Sequence, residues 1–236
     1  MSNTTPQPTV PELIELPDFS FPSTILRVGI TGGIASGKSY ICEQLLREGH
    51  HVFNCDVIAK RIIRTDAEVK RELKELVGTG VYDAEGNLVK SVLAAYLCQG
   101  KEYAYRVNAI VHPRVAKAFA CYCQEIANQQ PEAEQCAQSC PTLPTAAIGE
   151  SKEISVEALK ALPPQRTVFM ECAILFESGF NKYVDHSVHI HVSHATQIAR
   201  LMARDHISAD KAEEWMALQL PEQTKLIMAE AIIINE

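Results

Sequence analysis

The chain has 236 residues, 47% of them hydrophobic and 22% charged, with a formal net charge of −7. That length can bury a full core in one α/β domain, or in one domain carrying a substantial insert, and no apolar run approaches the length of a membrane span. The acidic balance argues against a general polyanion-binding surface, because nucleic-acid binders cluster Lys and Arg, so neither nucleic acid nor membrane is an expected partner.

Residues 1–24 are polar, proline-containing and without periodicity, which reads as a flexible extension. They have no basic start and no long apolar centre, so they do not resemble a secretory signal, and a cytoplasmic location is expected. ILRVGIT then reads as a buried strand. It runs into GGIASGKS, residues 32 to 39, where Gly32, Gly37, Lys38 and Ser39 stand at the spacing of a phosphate-binding P-loop. Gly32, Gly33 and Gly37 lack a Cβ, so the loop through Ile34, Ala35 and Ser36 can turn several backbone N–H groups toward one anion. The helix KSYICEQLLREG, opening on Lys38, Ser39 and Tyr40, adds the positive end of its dipole. Lys38 can reach the outer phosphates of ATP, and the Ser39 hydroxyl can hold Mg²⁺. Ile41, Leu45 and Leu46 are expected on its buried face, with Gly49 as the stop.

HVFNCD is a short strand ending at Asp56, at the carboxyl edge of the sheet, where open α/β folds bind ligands. Asp56 reads both as the N-cap of the next helix and as a general base or orienting group for a phosphoryl acceptor. The pattern predicts one helix from Val57 to Val77, with Ile58, Ile62 and Ile63 in phase, then a turn at DAEGN and a helix from Lys90 to Cys98. A further helix begins near Glu102 and is expected to break or kink at His112–Pro113, because helical geometry is disfavoured before proline. This helical insert between two strands suits an acceptor-binding region.

Residues 128–166 contain five prolines and no aromatic residue, a composition shift that reads as a surface insert with a helical stub at SVEALKAL. TVFMECAILFE returns as an apolar strand. It places Glu171 where a P-loop protein keeps an acidic group near its magnesium, reached through water because Glu is longer than Asp; Glu177 is a second carboxylate. HSVHIHV alternates Val188, Ile190 and Val192 against His189 and His191; with no third ligand identifiable in the sequence, the histidines read as a partly covered sheet face. SHATQIARLMARD is a helix capped by Ser193, with Arg200 and Arg204 four residues apart on one face, suited to a lid that closes over a transferring phosphoryl group. The helix ADKAEEWMALQ and the strand AIIIN end the chain.

Of the eight cysteines, Cys42, Cys55 and Cys172 fall in or beside core elements and read as buried thiols. Cys121, Cys123, Cys136 and Cys140 have spacings that match no strong zinc signature. The P-loop does not report the acceptor, so a kinase for a nucleoside, nucleotide or small alcohol fits the residues so far. A nucleotide switch is a rival class; NKYVD near residue 181 is one residue too long for a guanine-reading NKxD. A nucleotide-binding protein without catalysis is a third reading.

With these residues assembled, the chain resembles the dephospho-CoA kinases over about residues 26–235. The resemblance is carried by TGGIASGKS, CDVIAK, VHPRV, ILFE and QIARLMARD followed by Gln219. It implies ATP-dependent phosphorylation of the ribose 3′-hydroxyl of dephospho-CoA, with Asp56 as the catalytic aspartate and Lys38, Arg200 and Arg204 stabilising the transferred group. Lys60, Lys90 and His112 are then assigned to the CoA side, and Ser39 and Glu171 to magnesium. The implied architecture is a three-layer α/β P-loop kinase fold with a mostly parallel sheet of about five strands. Residues 25–56 and 167–236 form its core, with a lid around 196–220; 57–127 is the helical CoA-binding region and 128–166 the insert. The chain departs from the family at Asn54, where many members have aspartate, at Lys60, where they have arginine, and at Ala173, where they have proline. It ends at Asn235–Glu236, where relatives continue into a loop and a final helix.

Overall fold

A computed structural model describes residues 14–129, 143 and 152–236. Five strands, β1 (Leu26–Gly32), β2 (His51–Asn54), β3 (Thr167–Glu171), β4 (His186–His191) and β5 (Ala231–Ile234), form one parallel sheet in the order β2-β3-β1-β4-β5. Parallel sheets need cover on both faces, and the strand sequences meet that demand with near-continuous apolar runs. Leu26, Val28 and Ile30 of β1 join Phe169, Val188, Ile190, Ala231 and Ile233 on one face, packed against Ile41 and Leu45 of α1 (Lys38–Arg47). Phe53, Val168 and Met170 point the other way, into a helical layer.

That layer contains α2 (Cys55–Thr65), α3 (Ala67–Val77), α4 (Lys90–Leu97) and α5 (Lys101–Asn128). Val107, Val111, Val115, Phe119 and Cys123 line the buried stripe of α5 at helical spacing. Phe119 is fully buried and its ring meets those of Phe53 and Phe21. Arg114 of α5 pairs with Glu72 of α3 at 2.5 Å and ties two helices of the layer together.

The structure corrects several expectations. The single helix over 57–77 is two, because Asp66 takes extended dihedrals and its side chain accepts from Val69 N, capping α3. Asp56 is not the N-cap of α2; Asn54 fills that role by accepting from Val57 N at 2.9 Å, which leaves Asp56 in the first turn. The expected break at His112–Pro113 is absent, and α5 is one element with Pro113 inside it. Tertiary burial on both sides of the proline outweighs its local cost, and the Arg114 guanidinium donates to the Ile110 carbonyl in the turn the proline disturbs. On α1, Leu46 is exposed, because only positions 41, 42 and 45 turn inward.

Part of the expected N-terminal extension is packed. Leu16 is buried, Phe19 and Phe21 lie against the core, and the Tyr183 hydroxyl donates to the Pro17 carbonyl at 2.5 Å. Part of the expected insert is also built in: α6 (Val156–Lys160), capped by Ser155, buries Leu159, and Ile154 N donates to Ile232 O. Cys136 and Cys140 lie outside the described residues, whereas Cys42, Cys55 and Cys172 are free and buried. After β4 come α7 (His194–Asp205), capped by Ser193, α8 (Ala209–Met216) and α9 (Glu222–Met228).

Truncating the ring that joins α5 to the sheet tests this account of the core. Phe119→Ala is expected to lower unfolding stability by about 3–5 kcal/mol, read as a lower urea midpoint at unchanged m-value.

Candidate active site

The carboxyl ends of β1, β2 and β3 and the start of α1 meet at a cleft of about 1310 Å³. The P-loop bridges β1 and α1. Gly37 stands at the N-cap of α1 with φ of 90° and no capping side chain, so the first N–H groups of the helix face the loop without one. The ends of two amide side chains press on the loop at two glycines. A Cβ on Gly33 would stand 2.2 Å from Gln197 Nε2, and one on Gly37 would stand 2.1 Å from Asn235 Nδ2.

Lys38 curls over this loop, its Nζ donating to the carbonyls of Gly32 and Gly33 at 2.9 Å each. Burial pushes its ammonium down to about 8, with Glu171 pulling it back up. Glu171 ends β3 and is buried, and both of its oxygens are engaged. Ser39 Oγ donates to Oε1 at 2.7 Å, and Asn54 Nδ2 donates to Oε2 at 2.5 Å. Ser39 and Glu171 thus present adjacent oxygens, the hard donor type that suits Mg²⁺.

Asp56 projects from the first turn of α2 into the cleft lining, with its side chain 71% exposed and bridged to Lys60 Nζ at 2.5 Å. Lys60 and Lys90 are exposed and are not among the residues that line the cleft; His112, buried in α5, is. Burial pushes the His112 imidazole down to about 4, so it is neutral at ordinary pH and acts through hydrogen bonds or packing rather than charge. Around it Leu93, Val107, Val111 and Phe180 give that end of the cleft an apolar wall.

The opposite wall comes from α7 and the segment after α8. Arg200 and Arg204 both line the cleft; Arg200 donates to Asn235 O at 3.0 Å, and Arg204 pairs with Asp205. Tyr40, exposed at the start of α1, stands at the rim, beside Ile34 and Ala35. Glu177 is drawn away, accepting from Leu220 N and lying 3.7 Å from the buried Lys225.

Sequence reasoning assigned no role to two glutamines that grip the P-loop tip. Gln219 Oε1 accepts from Ile34 N at 2.8 Å, and Gln197 Nε2 donates to Ile34 O at 3.0 Å. Gln197 lies three residues before Arg200 on the arginine-bearing face of α7, so helical spacing was the available signal. Asn54, noted only as a departure, proves to hold both the α2 terminus and Glu171.

A P-loop joining the central strand of a 2-3-1-4-5 parallel sheet to its helix, with an acidic group on the neighbouring strand and arginines on the facing helix, defines a P-loop kinase. The family profile for dephospho-CoA kinase matches residues 26–145 and 146–236. The dephospho-CoA kinase of Bacteroides fragilis strain YCH46 is 30% identical over 89% of this chain and 85% of its own length. That of Chlorobaculum tepidum is also 30% identical, over 89% and 86%. Among solved structures, TT1252 from Thermus thermophilus shares the fold with a TM-score of 0.63 at 23% identity, covering 90% of this chain and 89% of that one. A dephospho-CoA kinase from Campylobacter jejuni shares it with a TM-score of 0.51 at 17% identity and the same coverage. The chain belongs to the dephospho-CoA kinase family, the phosphotransferases that phosphorylate dephospho-CoA with ATP in coenzyme A biosynthesis.

The lowered Lys38 sets a pH dependence. Lys38 can attract phosphate only as a cation, which exists below its pKa, so kcat/KM for ATP is expected to fall as pH rises through about 8. Bound triphosphate favours the charged form, so kcat should hold to higher pH; parallel pH–rate profiles of the two constants check this.

Proposed function

We propose that this chain carries out its family's reaction by gripping the ATP phosphates at Gly32–Ser39 and presenting the 3′-hydroxyl of dephospho-CoA to Asp56. The observation that carries the reading is that Lys38, Ser39, Asp56, Glu171, Arg200 and Arg204 line one cleft although they come from four separate stretches of sequence. In this reading the backbone N–H groups of Ala35, Gly37 and the first turn of α1 cradle the β-phosphate, and Lys38 leaves its carbonyl partners to hold the β- and γ-oxygens. Asp56 accepts a hydrogen bond from the 3′-hydroxyl, orients its lone pair along the line of transfer and takes its proton as the new P–O bond forms. Arg200 and Arg204 donate to the transferred group as its charge spreads, and ADP leaves from the P-loop side.

Magnesium fits the residues present. Ser39 Oγ and Glu171 Oε1 are neighbours, the buried carboxylate is fixed by Asn54, and the two would hold the ion, Glu171 through water. When bound, Mg²⁺ supplies neutralisation of phosphate charge.

The helical region 57–127 is proposed to bind the CoA moiety, its apolar wall at Leu93, Val107 and Val111 suiting the pantetheine arm and neutral His112 offering a hydrogen bond there. Lys60 is proposed to set the carboxylate of Asp56, and Lys90, at the start of α4, to meet a phosphate from the rim. Residues around 196–220 form the proposed lid, with Gln197 and Gln219 as its contacts to the P-loop tip. The cytoplasm is the proposed location, a reading supported by the free buried thiols Cys42, Cys55 and Cys172.

The test is ATP-dependent phosphorylation of dephospho-CoA by wild type and Asp56→Asn, with product position read by phosphorus NMR. The variant is expected to lose about 10²–10⁴-fold in kcat while its ATP affinity and circular dichroism stay unchanged. Wild-type turnover by Asp56→Asn would remove Asp56 from the chemistry.

A further inference from the structure

A cluster outside the phosphate cleft carries chemistry of its own. The alternation of β4 sends Val188 and Ile190 into the core and turns His189 and His191 to the opposite face, where α9 crosses. A single oxygen of α9, Glu222 Oε1, meets both rings, at 2.7 Å from His189 Nε2 and 2.8 Å from His191 Nδ1. The three potential donor atoms lie within 4.8 Å of one another. The third ligand that the sequence did not disclose is therefore supplied by tertiary structure, 31 residues beyond His191.

We propose that His189, His191 and Glu222 form a binding site for a borderline divalent transition metal of the Zn²⁺, Ni²⁺ or Co²⁺ class, distinct from the magnesium corner at Ser39 and Glu171. Two imidazoles and one carboxylate make a mixed N/O donor set that these ions favour and Mg²⁺ does not. Three protein ligands leave a position for water, as in open tetrahedral sites. The frame is preorganised. His189 is fully buried on a strand paired on both sides, and the side chains of His191 and Glu222 keep 29% and 31% exposure, which opens the site to solvent on one flank. Nδ1 of His189 is buried with no partner among the described residues, so it can take the proton when Nε2 becomes a ligand, at the cost of an unpaired buried N–H.

Such an ion would staple α9 to β4 at a point linked to the P-loop on both sides. The His191 carbonyl accepts from Asn235 N, and Asn235 Nδ2 donates to Ser36 O at 2.8 Å. Glu222 follows by three residues Gln219, whose side chain holds Ile34 N. The site is thus a brace for the segment that grips the phosphate loop, not a part of the reacting centre.

The experiment uses the full chain freed of metal with a chelator, then titrated with Zn²⁺ against a chromophoric competitor and separately with Co²⁺ under visible spectroscopy. Wild type is expected to take one tight Zn²⁺ and to show Co²⁺ d–d absorption without thiolate charge transfer. In His191→Ala and Glu222→Gln, each checked for folding by circular dichroism, affinity should fall by at least about 100-fold. His191 is partly exposed, so its alanine variant keeps the buried strand intact, and Zn²⁺ should raise the melting temperature of wild type but not of this variant. Binding of equal strength in the variants, a thiolate-dominated spectrum that survives them, or no uptake by wild type would each overturn the site and leave the cluster as a hydrogen-bonded clasp.

Discussion

The site depends on the pairing of β1 with a parallel neighbour on each side. On one side Ile30 lies in register with Glu171, which carries the end of β3 to the foot of the P-loop; on the other, Thr31 and Gly32 lie beside His189 and Ile190. Because all strands run the same way, every loop that follows a carboxyl end opens on one edge, and the cleft forms there. A slip of one residue between β1 and β3 would turn Glu171 to the opposite face and take its carboxylate away from Ser39. Register is held by apolar side chains on both faces, so the distant core governs a hydrogen bond of 2.7 Å at the site.

Local signals served well where the needed geometry is itself local. The P-loop was legible because its conformation requires glycine at fixed positions, and the cap at Ser193 because a serine before a helical pattern has one favourable use. The five strands were legible as apolar runs, and their number and parallel sense agree with expectation. Misreadings arose where competing residues stood close together. Asn54 and Asp56 can both cap a helix, and only the path of the backbone selects Asn54. Pro113 favours a break, but the buried stripe from Val107 to Phe119 supplies more free energy than a single lost helical bond.

Long-range partners were the least legible. Nothing near His189 and His191 announces Glu222, and nothing near Ile34 announces Gln219; both contacts depend on how the segment after α8 returns across the sheet edge. The same return draws Glu177 out of the cleft toward Leu220 and Lys225. A carboxylate read from the end of an apolar strand segment can therefore serve the phosphate site, as proposed for Glu171, or anchor a distant turn.

Asn54 shows why a departure from the family pattern need not weaken such a site. Its Oδ1 accepts from Val57 N and its Nδ2 donates to Glu171, so one neutral amide caps α2 and fixes the buried carboxylate. An aspartate there could still cap the helix, but it would place a second negative charge within hydrogen-bond distance of Glu171, a repulsion relieved only by a cation or a shared proton. With asparagine, Glu171 is held without that repulsion, and fewer anionic oxygens remain for magnesium. In the proposed magnesium site the ion would keep several waters and take ligands from substrate phosphates, so its retention would rest on ATP more than on protein carboxylates. Under that proposal ion and nucleotide bind as one unit, with Ser39 and Glu171 orienting the pair.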